Sequence, residues 1–172
     1  PHKNMRRLGG ISLIGRAGMC LSDLSWLDAK VISTDSPEYA AEGEKYGLPA
    51  PFLRPAELSS DRAGAVETVT HALLEMERLS GITFDVILII EPTSPLRTSA
   101  DVEEATRLLL RTGADSVVAV SPLPTKAHPA KVLKVIEGRL SFYEDRGAGI
   151  VSRQALETLY WRNGVCYAIT RD

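Results

Sequence analysis

Five apolar residues stand in a row at 86–90, namely Val86, Ile87, Leu88, Ile89 and Ile90, without the alternation of a half-exposed strand. An unbroken, mostly β-branched run of this length predicts a central strand buried on both faces, as in a parallel sheet covered by helices. It leads directly into a polar stretch, Glu91, Pro92, Thr93, Ser94, Pro95, Leu96, Arg97 and Thr98. Pro92 and Pro95 fix φ at their own positions and push Glu91 and Ser94 toward extended backbone, so Thr93, Ser94 and Arg97 sit on a stiffened loop. Ligands of open α/β sheets bind outside the carboxyl ends of strands, which makes Glu91 and this loop a candidate site. The plain alternative is a proline-rich strand exit that binds nothing.

Periodicity elsewhere alternates between the two regular types. Leu13, Ile14, Ala17, Leu21 and Leu24 recur at helical spacing and predict a helix within 11–27, although Gly15 and Gly18 weaken it. A short strand at 29–33 precedes Asp35 and Ser36, either of which can cap a helix carrying Tyr39, Ala40 and Gly43 and stopping at Gly47. Capping is sufficient to explain both residues, ahead of a catalytic role for Asp35. After a proline-rich extended stretch at 49–55, Ser59, Ser60 and Asp61 are candidate caps for a long helix with Val66, Val69, Leu73 and Met76 on one face, ending at Gly81. His71 near that face reads as structural rather than catalytic. Ser99 is expected to cap the next helix, with Val102, Ala105, Leu108 and Leu109 as its buried stripe and Gly113 as its stop. Residues 115–120 then form another buried strand, and the strand–helix alternation argues for a parallel, helix-covered sheet.

Beyond Ser121 the pattern changes. Pro122, Pro124 and Pro129 break the chain, and Val132, Leu133, Val135 and Ile136 predict a strand that turns at Glu137 and Gly138 into a returning segment at 140–143. This excursion, over 122–160, reads as a lid or a subunit contact. Residues 147–152 read as flexible and 165–169 as a last strand.

Composition narrows the class. The 172 residues suit one domain with a substantial core, and 44% hydrophobic with 24% charged residues is ordinary for a globular protein. A net charge of -2 with scattered basic residues offers no footprint for nucleic acid. No apolar run approaches the roughly 18 residues of a membrane span. Cys20 and Cys166 are too few and too dispersed for a disulfide framework or a zinc site, and read as buried small hydrophobes in a reducing, cytoplasmic setting. No signal peptide is visible, and the start at Pro1 leads one to expect further native sequence before it. That basic, turn-prone start suits either a phosphate, held by lysine and a helix N-terminus, or a solvated end.

Taken together, Lys3-Asn4 with Leu8-Gly9-Gly10, Ser33-Thr34-Asp35-Ser36, Phe52-Leu53-Arg54-Pro55-Ala56-Glu57-Leu58, Pro92-Thr93-Ser94-Pro95-Leu96-Arg97-Thr98, Asp115-Ser116-Val117-Val118, His128-Pro129 with Lys131, and Arg162-Asn163-Gly164 resemble the acylneuraminate cytidylyltransferases, or CMP-sialic acid synthetases, in order and spacing over nearly the whole chain. The resemblance implies a mostly parallel sheet covered by helices, nucleotide-diphospho-sugar transferase-like (Rossmann-like), with the small β excursion used for dimerisation. It implies coupling of CTP to a nonulosonic sugar acid with release of pyrophosphate, the sugar's own anomeric hydroxyl being the nucleophile. Lys3 and Asn4 match the catalytic and triphosphate-binding positions, Arg54 the arginine that reads the cytosine carbonyl, and Ala63 and Ala65 positions beside the nucleotide. Glu91, Thr93, Ser94 and Tyr167 match the sugar pocket, and Lys131 and Arg153 match basic residues that reach across a homodimer.

Three departures follow from the same resemblance. Glu91 stands where the family carries glutamine, and a carboxylate would repel an anionic sugar acid unless protonated or paired. In Arg62-Ala63-Gly64-Ala65 the hydroxyl expected near the nucleotide is missing at Ala65. Trp161 replaces an arginine of some members. The family's first strand and phosphate loop are expected before Pro1, and the aspartates that hold Mg²⁺ after Asp172. Two further readings stay open: a relative serving a different sugar, and a nucleotide-binding homologue without catalysis. A glycosyltransferase is disfavoured by the lack of an Asp-x-Asp.

Overall fold

The computed structural model describes residues 2–60 and 63–171, with the side chain of Arg153 outside the described set. Asp61, a candidate cap, and Arg62, part of the altered nucleotide segment, therefore lie outside the described residues. The elements, in chain order, are β1 (Arg7–Leu8), β2 (Ile11–Ser12), α1 (Leu13–Ser22), α2 (Pro37–Glu44), α3 (Ala65–Ser80), β3 (Val86–Ile89), α4 (Ser99–Thr112), β4 (Ser116–Pro122), β5 (Leu133–Ile136), β6 (Arg139–Phe142) and β7 (Tyr160–Thr170). They fall into two units, Pro1–Ala119 with Gly164–Asp172, and Val120–Asn163.

In the first unit α1, α2 and α4 begin where a side chain accepts an orphan backbone N–H. Ser12 Oγ accepts from Gly15 N at 2.9 Å to start α1. Ser36 Oγ, and not Asp35, accepts from Tyr39 N at 3.3 Å to start α2. The cap of α4 is Thr98 rather than Ser99: Thr98 Oγ1 accepts from Asp101 N at 3.3 Å while Asp101 Oδ2 accepts from Thr98 N at 2.8 Å, a reciprocal box that shifts the start by one residue. α3 begins after Gly64 instead of within 59–61, and Gly81 and Gly113 close α3 and α4 at positive φ as expected. α1 stops at Ser22, and its glycines have a packing reason. A Cβ built on Gly15 would lie 2.6 Å from the Tyr46 ring, and one on Gly18 would lie 2.5 Å from the Tyr46 carbonyl oxygen, so only glycine lets that segment approach.

The core joins α1 and α4 to one face of the sheet. Ile14, Cys20 and Leu21 of α1 meet Val102, Ala105 and Leu109 of α4 and the inward residues Cys166 and Ala168 of β7, with Val86, Leu88 and Ile90 packed beside them. Ile14, Val102 and Leu109 are at most 1% exposed, and each such burial contributes about 1.5–3 kcal/mol. α3 differs: no residue of it is fully buried, Val66 is 76% exposed, and Arg171 anchors it by donating to Glu77 Oε1 at 3.0 Å. The apolar stripe expected there is at best half-covered.

The sheet corrects the sequence reading in three ways. Its order is β3-β7-β4, so β7 is central and β3, expected there, flanks it with residues that are only partly buried. β7 runs antiparallel to β3, pairing Val86 with Thr170 and Ile89 with Tyr167. On its other side, bonds from Thr170 N to the Asp115 carbonyl (3.0 Å) and from Leu123 N to the Leu159 carbonyl (2.7 Å) mark the same sense against β4. β3 and β4 thus point the same way through the α4 crossover, but the last strand lies between them, so the described residues form no parallel ladder. An apolar run records burial and not which strand will be its neighbour. Finally, 29–33 forms no strand. Ile32 N reaches the Pro49 carbonyl at 3.0 Å and Arg54 N the Thr34 carbonyl at 2.8 Å, while Pro49, Pro51 and Pro55 have no N–H with which to complete a ladder.

The second unit holds the expected hairpin. β5 and β6 pair antiparallel with Ile136 opposite Arg139. Glu137 (φ 49°) and Gly138 (φ 76°) make the two-residue turn of positive φ that matches strand twist. His128, 3% exposed, accepts from Ala130 N at 3.1 Å through Nδ1 and caps the short 3₁₀ turn Pro129–Lys131. The segment read as flexible opens within another 3₁₀ turn, Asp145–Gly149.

Candidate functional site

At the carboxyl end of β3 the backbone turns back on itself, with Ser94 N bonding the Glu91 carbonyl and Arg97 N the Ser94 carbonyl, each at 3.2 Å. Glu91 lies two residues beyond Ile89, whose partner on β7 is Tyr167, so Glu91 and Tyr167 share a face at a diagonal that an aromatic side chain can span. The Tyr167 hydroxyl donates to Glu91 Oε1 at 3.2 Å, and the Thr93 hydroxyl makes a longer 3.4 Å contact to Oε2. Gly164, at φ 70°, closes the other side: a Cβ there would stand 2.8 Å from Glu91 Oε2 and 3.1 Å from Ser94 Oγ.

Beneath this loop Arg97 is 9% exposed. Its Nη2 donates to the carbonyls of Glu91 at 2.5 Å and Gly164 at 2.9 Å, and its Nε donates to the Val165 carbonyl. No carboxylate pairs with it directly among the described residues. Burial pushes Arg97 below the ordinary guanidinium value, against the opposing influence of Cys20, Cys166, Glu91 and Asp101. Burial likewise pushes the Cys166 thiol up to about 11 and Cys20 upward, so both stay protonated at neutral pH and act as small apolar groups, as expected.

The other sequence-derived residues fall elsewhere. Lys3 is exposed on the 3₁₀ turn Lys3–Met5, whose Met5 packs on the core, and Asn4 Oδ1 is buried without a hydrogen-bond partner. Arg54 donates through Nε to Ser59 Oγ at 3.1 Å and lies 3.8 Å from Asp35 Oδ1, so Asp35 faces a guanidinium instead of capping a helix. Ala63 is half-buried and Ala65 is the exposed first residue of α3. Lys131 belongs to the Pro129–Lys131 turn of the second unit, and the Arg153 side chain is outside the described set. The fold therefore gathers Glu91, Thr93, Ser94 and Tyr167, and separately Arg54 with Asp35 and Ser59. Sequence reasoning missed Gly164 and the buried role of Arg97. A glycine inside a strand is a known mark of close backbone approach and was available as a signal for the first.

The first unit is thus of the α/β class, with convergent polar groups just outside the carboxyl end of a sheet strand. No protein-family model matches the chain. It is 34% identical over 126 residues, 73% of this chain and 53% of the other, to the CMP-N,N'-diacetyllegionaminic acid synthase of Legionella pneumophila. It is 27% identical over 172 residues, 99% of this chain and 72% of the other, to post-translational flagellin modification protein B of Campylobacter coli. With the N-acylneuraminate cytidylyltransferase of Escherichia coli it shares 36% identity over 78 residues, 45% of this chain and 17% of that one. Over most of its length the chain is thus similar to proteins named as CMP-N,N'-diacetyllegionaminic acid synthase, and over a shorter stretch to the Escherichia coli N-acylneuraminate cytidylyltransferase. It spans about half the length of the Legionella relative.

Proposed function

We propose that this chain is the substrate-binding part of a cytidylyltransferase that joins CTP to a nonulosonic, sialic-acid-like sugar acid, giving the CMP-sugar and pyrophosphate. The observation that carries the reading is the Glu91–Tyr167 pair at the mouth of β3, in a chain whose relatives include CMP-N,N'-diacetyllegionaminic acid synthases from two organisms. Same-direction β3 and β4 joined by α4 support the nucleotide-diphospho-sugar transferase-like, Rossmann-like architecture for the first unit.

In this reading the anomeric hydroxyl of the sugar attacks the α-phosphate in line and pyrophosphate departs, with no covalent enzyme intermediate. Lys3 offsets the charge that gathers on the leaving pyrophosphate, Asn4 assists at the same turn, and Arg54 offers a planar donor to the cytosine carbonyl. Ala63 and Ala65 flank the nucleotide. Glu91, Thr93, Ser94 and Tyr167 receive the sugar. A carboxylate only accepts hydrogen bonds, so Glu91 selects a sugar hydroxyl or amine, which favours a nonulosonic acid other than sialic acid itself. Among the described residues no cluster of three or more His, Cys, Asp or Glu is placed to hold a metal ion. The magnesium that the family resemblance implies is proposed to be held by residues outside these, and no step is assigned to it.

A homodimer belongs to the same proposal, supported by Leu133, Val135, Ile136 and Leu140 of the second unit's hairpin, which are 47%, 68%, 54% and 69% exposed; the resemblance assigns Lys131 and Arg153 to the cross-subunit contact. A reducing, cytoplasmic setting suits the two free cysteines. No helix among the described residues is long and apolar enough to cross a membrane.

The test is pyrophosphate release from CTP by the full-length protein with a panel of nonulosonic acids. Release with at least one sugar is expected, and none with any sugar sinks the proposal. The loss of a hydroxyl at Ala65 favours one second reading, a nucleotide-binding homologue without turnover, which calorimetry would reveal as CTP binding with no product.

A further inference from the structure

We infer that Arg97 is a positioning residue that sets the orientation of Glu91, and through it the choice of sugar, by holding the β3 exit against β7. This rests on the proposed sugar site. A lone cation on the loop of an anionic-substrate site invites assignment as the group that binds the substrate's carboxylate. The geometry assigns it otherwise, because Arg97 is 9% exposed and its donors go to the carbonyls of Glu91, Gly164 and Val165.

Each bond fixes a different part of the site. The 2.5 Å bond to the Glu91 carbonyl fixes the backbone from which the Glu91 side chain projects. The bonds to Gly164 and Val165 fix the stretch of β7 that runs against it, and Gly164 lies so close that a methyl group there would stand 2.8 Å from Glu91 Oε2. Three residues further along, Tyr167 delivers its hydroxyl to Glu91 Oε1. One guanidinium thereby joins the strand that carries the acceptor to the strand that aims it. A planar fork is needed to reach several carbonyls at once, and an ammonium cannot copy it. The reciprocal cap of Thr98 and Asp101 immediately after Arg97 fixes the chain direction from which the side chain enters.

The experiment uses the full-length protein with Arg97→Lys, Glu91→Gln and the double variant, with rates read against CTP and against two sugar acids. Arg97→Lys is expected to raise the sugar KM about tenfold and to change the ratio between the two sugars, with the CTP KM within about twofold of wild type. In the Glu91→Gln background the same change is expected to leave that ratio unmoved. Equal losses toward CTP and sugar, or independent effects of the two substitutions on the ratio, overturn the inference. A wild-type protein that turns over no sugar counts against the proposed function and not against Arg97. For that reason the Glu91 carboxyl carbon is also followed by NMR in the sugar-free protein. Its signal should move in Arg97→Lys, or in Gly164→Ala if the lysine variant does not fold, and an unmoved signal in the folded variant overturns the inference.

Discussion

At the scale of single residues the proposed sugar site turns on Glu91. Exchanging it for glutamine keeps the shape, adds a donor and removes an obligate acceptor, so Glu91→Gln is expected to shift the ratio of kcat/KM between sugar acids by about tenfold, or about 1.4 kcal/mol. Equal changes toward every sugar in pyrophosphate-release assays would remove Glu91 from specificity. A second carboxylate governs stability. Glu42 is 3% exposed, and the Ser12 hydroxyl and the Lys45 ammonium, 2.9 Å away, hold it below the usual carboxylate range. A folded value below the ordinary 4.5 means that its stabilising contribution is complete above that pH and is lost as pH falls through the folded value. The difference in Tm between wild type and Glu42→Gln should therefore be largest above pH 4.5 and shrink on acidification. A difference that grows in acid would contradict this assignment.

α1 shows how an element can obey packing against propensity. Replacing Gly18 by alanine gains about 1 kcal/mol of helix propensity. The added Cβ would stand 2.5 Å from the Tyr46 carbonyl, a backbone atom that cannot rotate away, and overpacking costs about 1–3 kcal/mol. The clash is expected to win, lowering Tm by a few degrees in thermal melts, and a rise in Tm would show that Tyr46 yields. The same contest explains what could be read at this scale. Gly15 and Gly18 looked like weaknesses because their reason sits on another segment, whereas Gly81 and Gly113, and Ser36 as one of two candidates with Asp35, were legible because a cap or stop acts within its own turn.

For the whole molecule the question is what covers the second unit. Its hairpin leaves Val135 and Leu140 68% and 69% exposed, and Leu140→Glu in the full-length protein is expected to convert the proposed dimer to a monomer in sedimentation. A dimer that survives would place the contact elsewhere. At this scale the sequence by itself determined the α/β character, the hairpin with its Glu137–Gly138 turn and the helix stops at Gly81 and Gly113. These features depend on periodicity and local backbone preferences, which neighbouring residues set among themselves. Only the tertiary structure decided that β7 is the central strand and antiparallel, that 29–33 has no ladder, and that Arg97 serves three carbonyls instead of a ligand. Each of those depends on which distant segment arrives alongside: Gly164 and Val165 lie 67 and 68 positions from Arg97. A side chain's partner across such a span is fixed by packing and register, which no local pattern encodes.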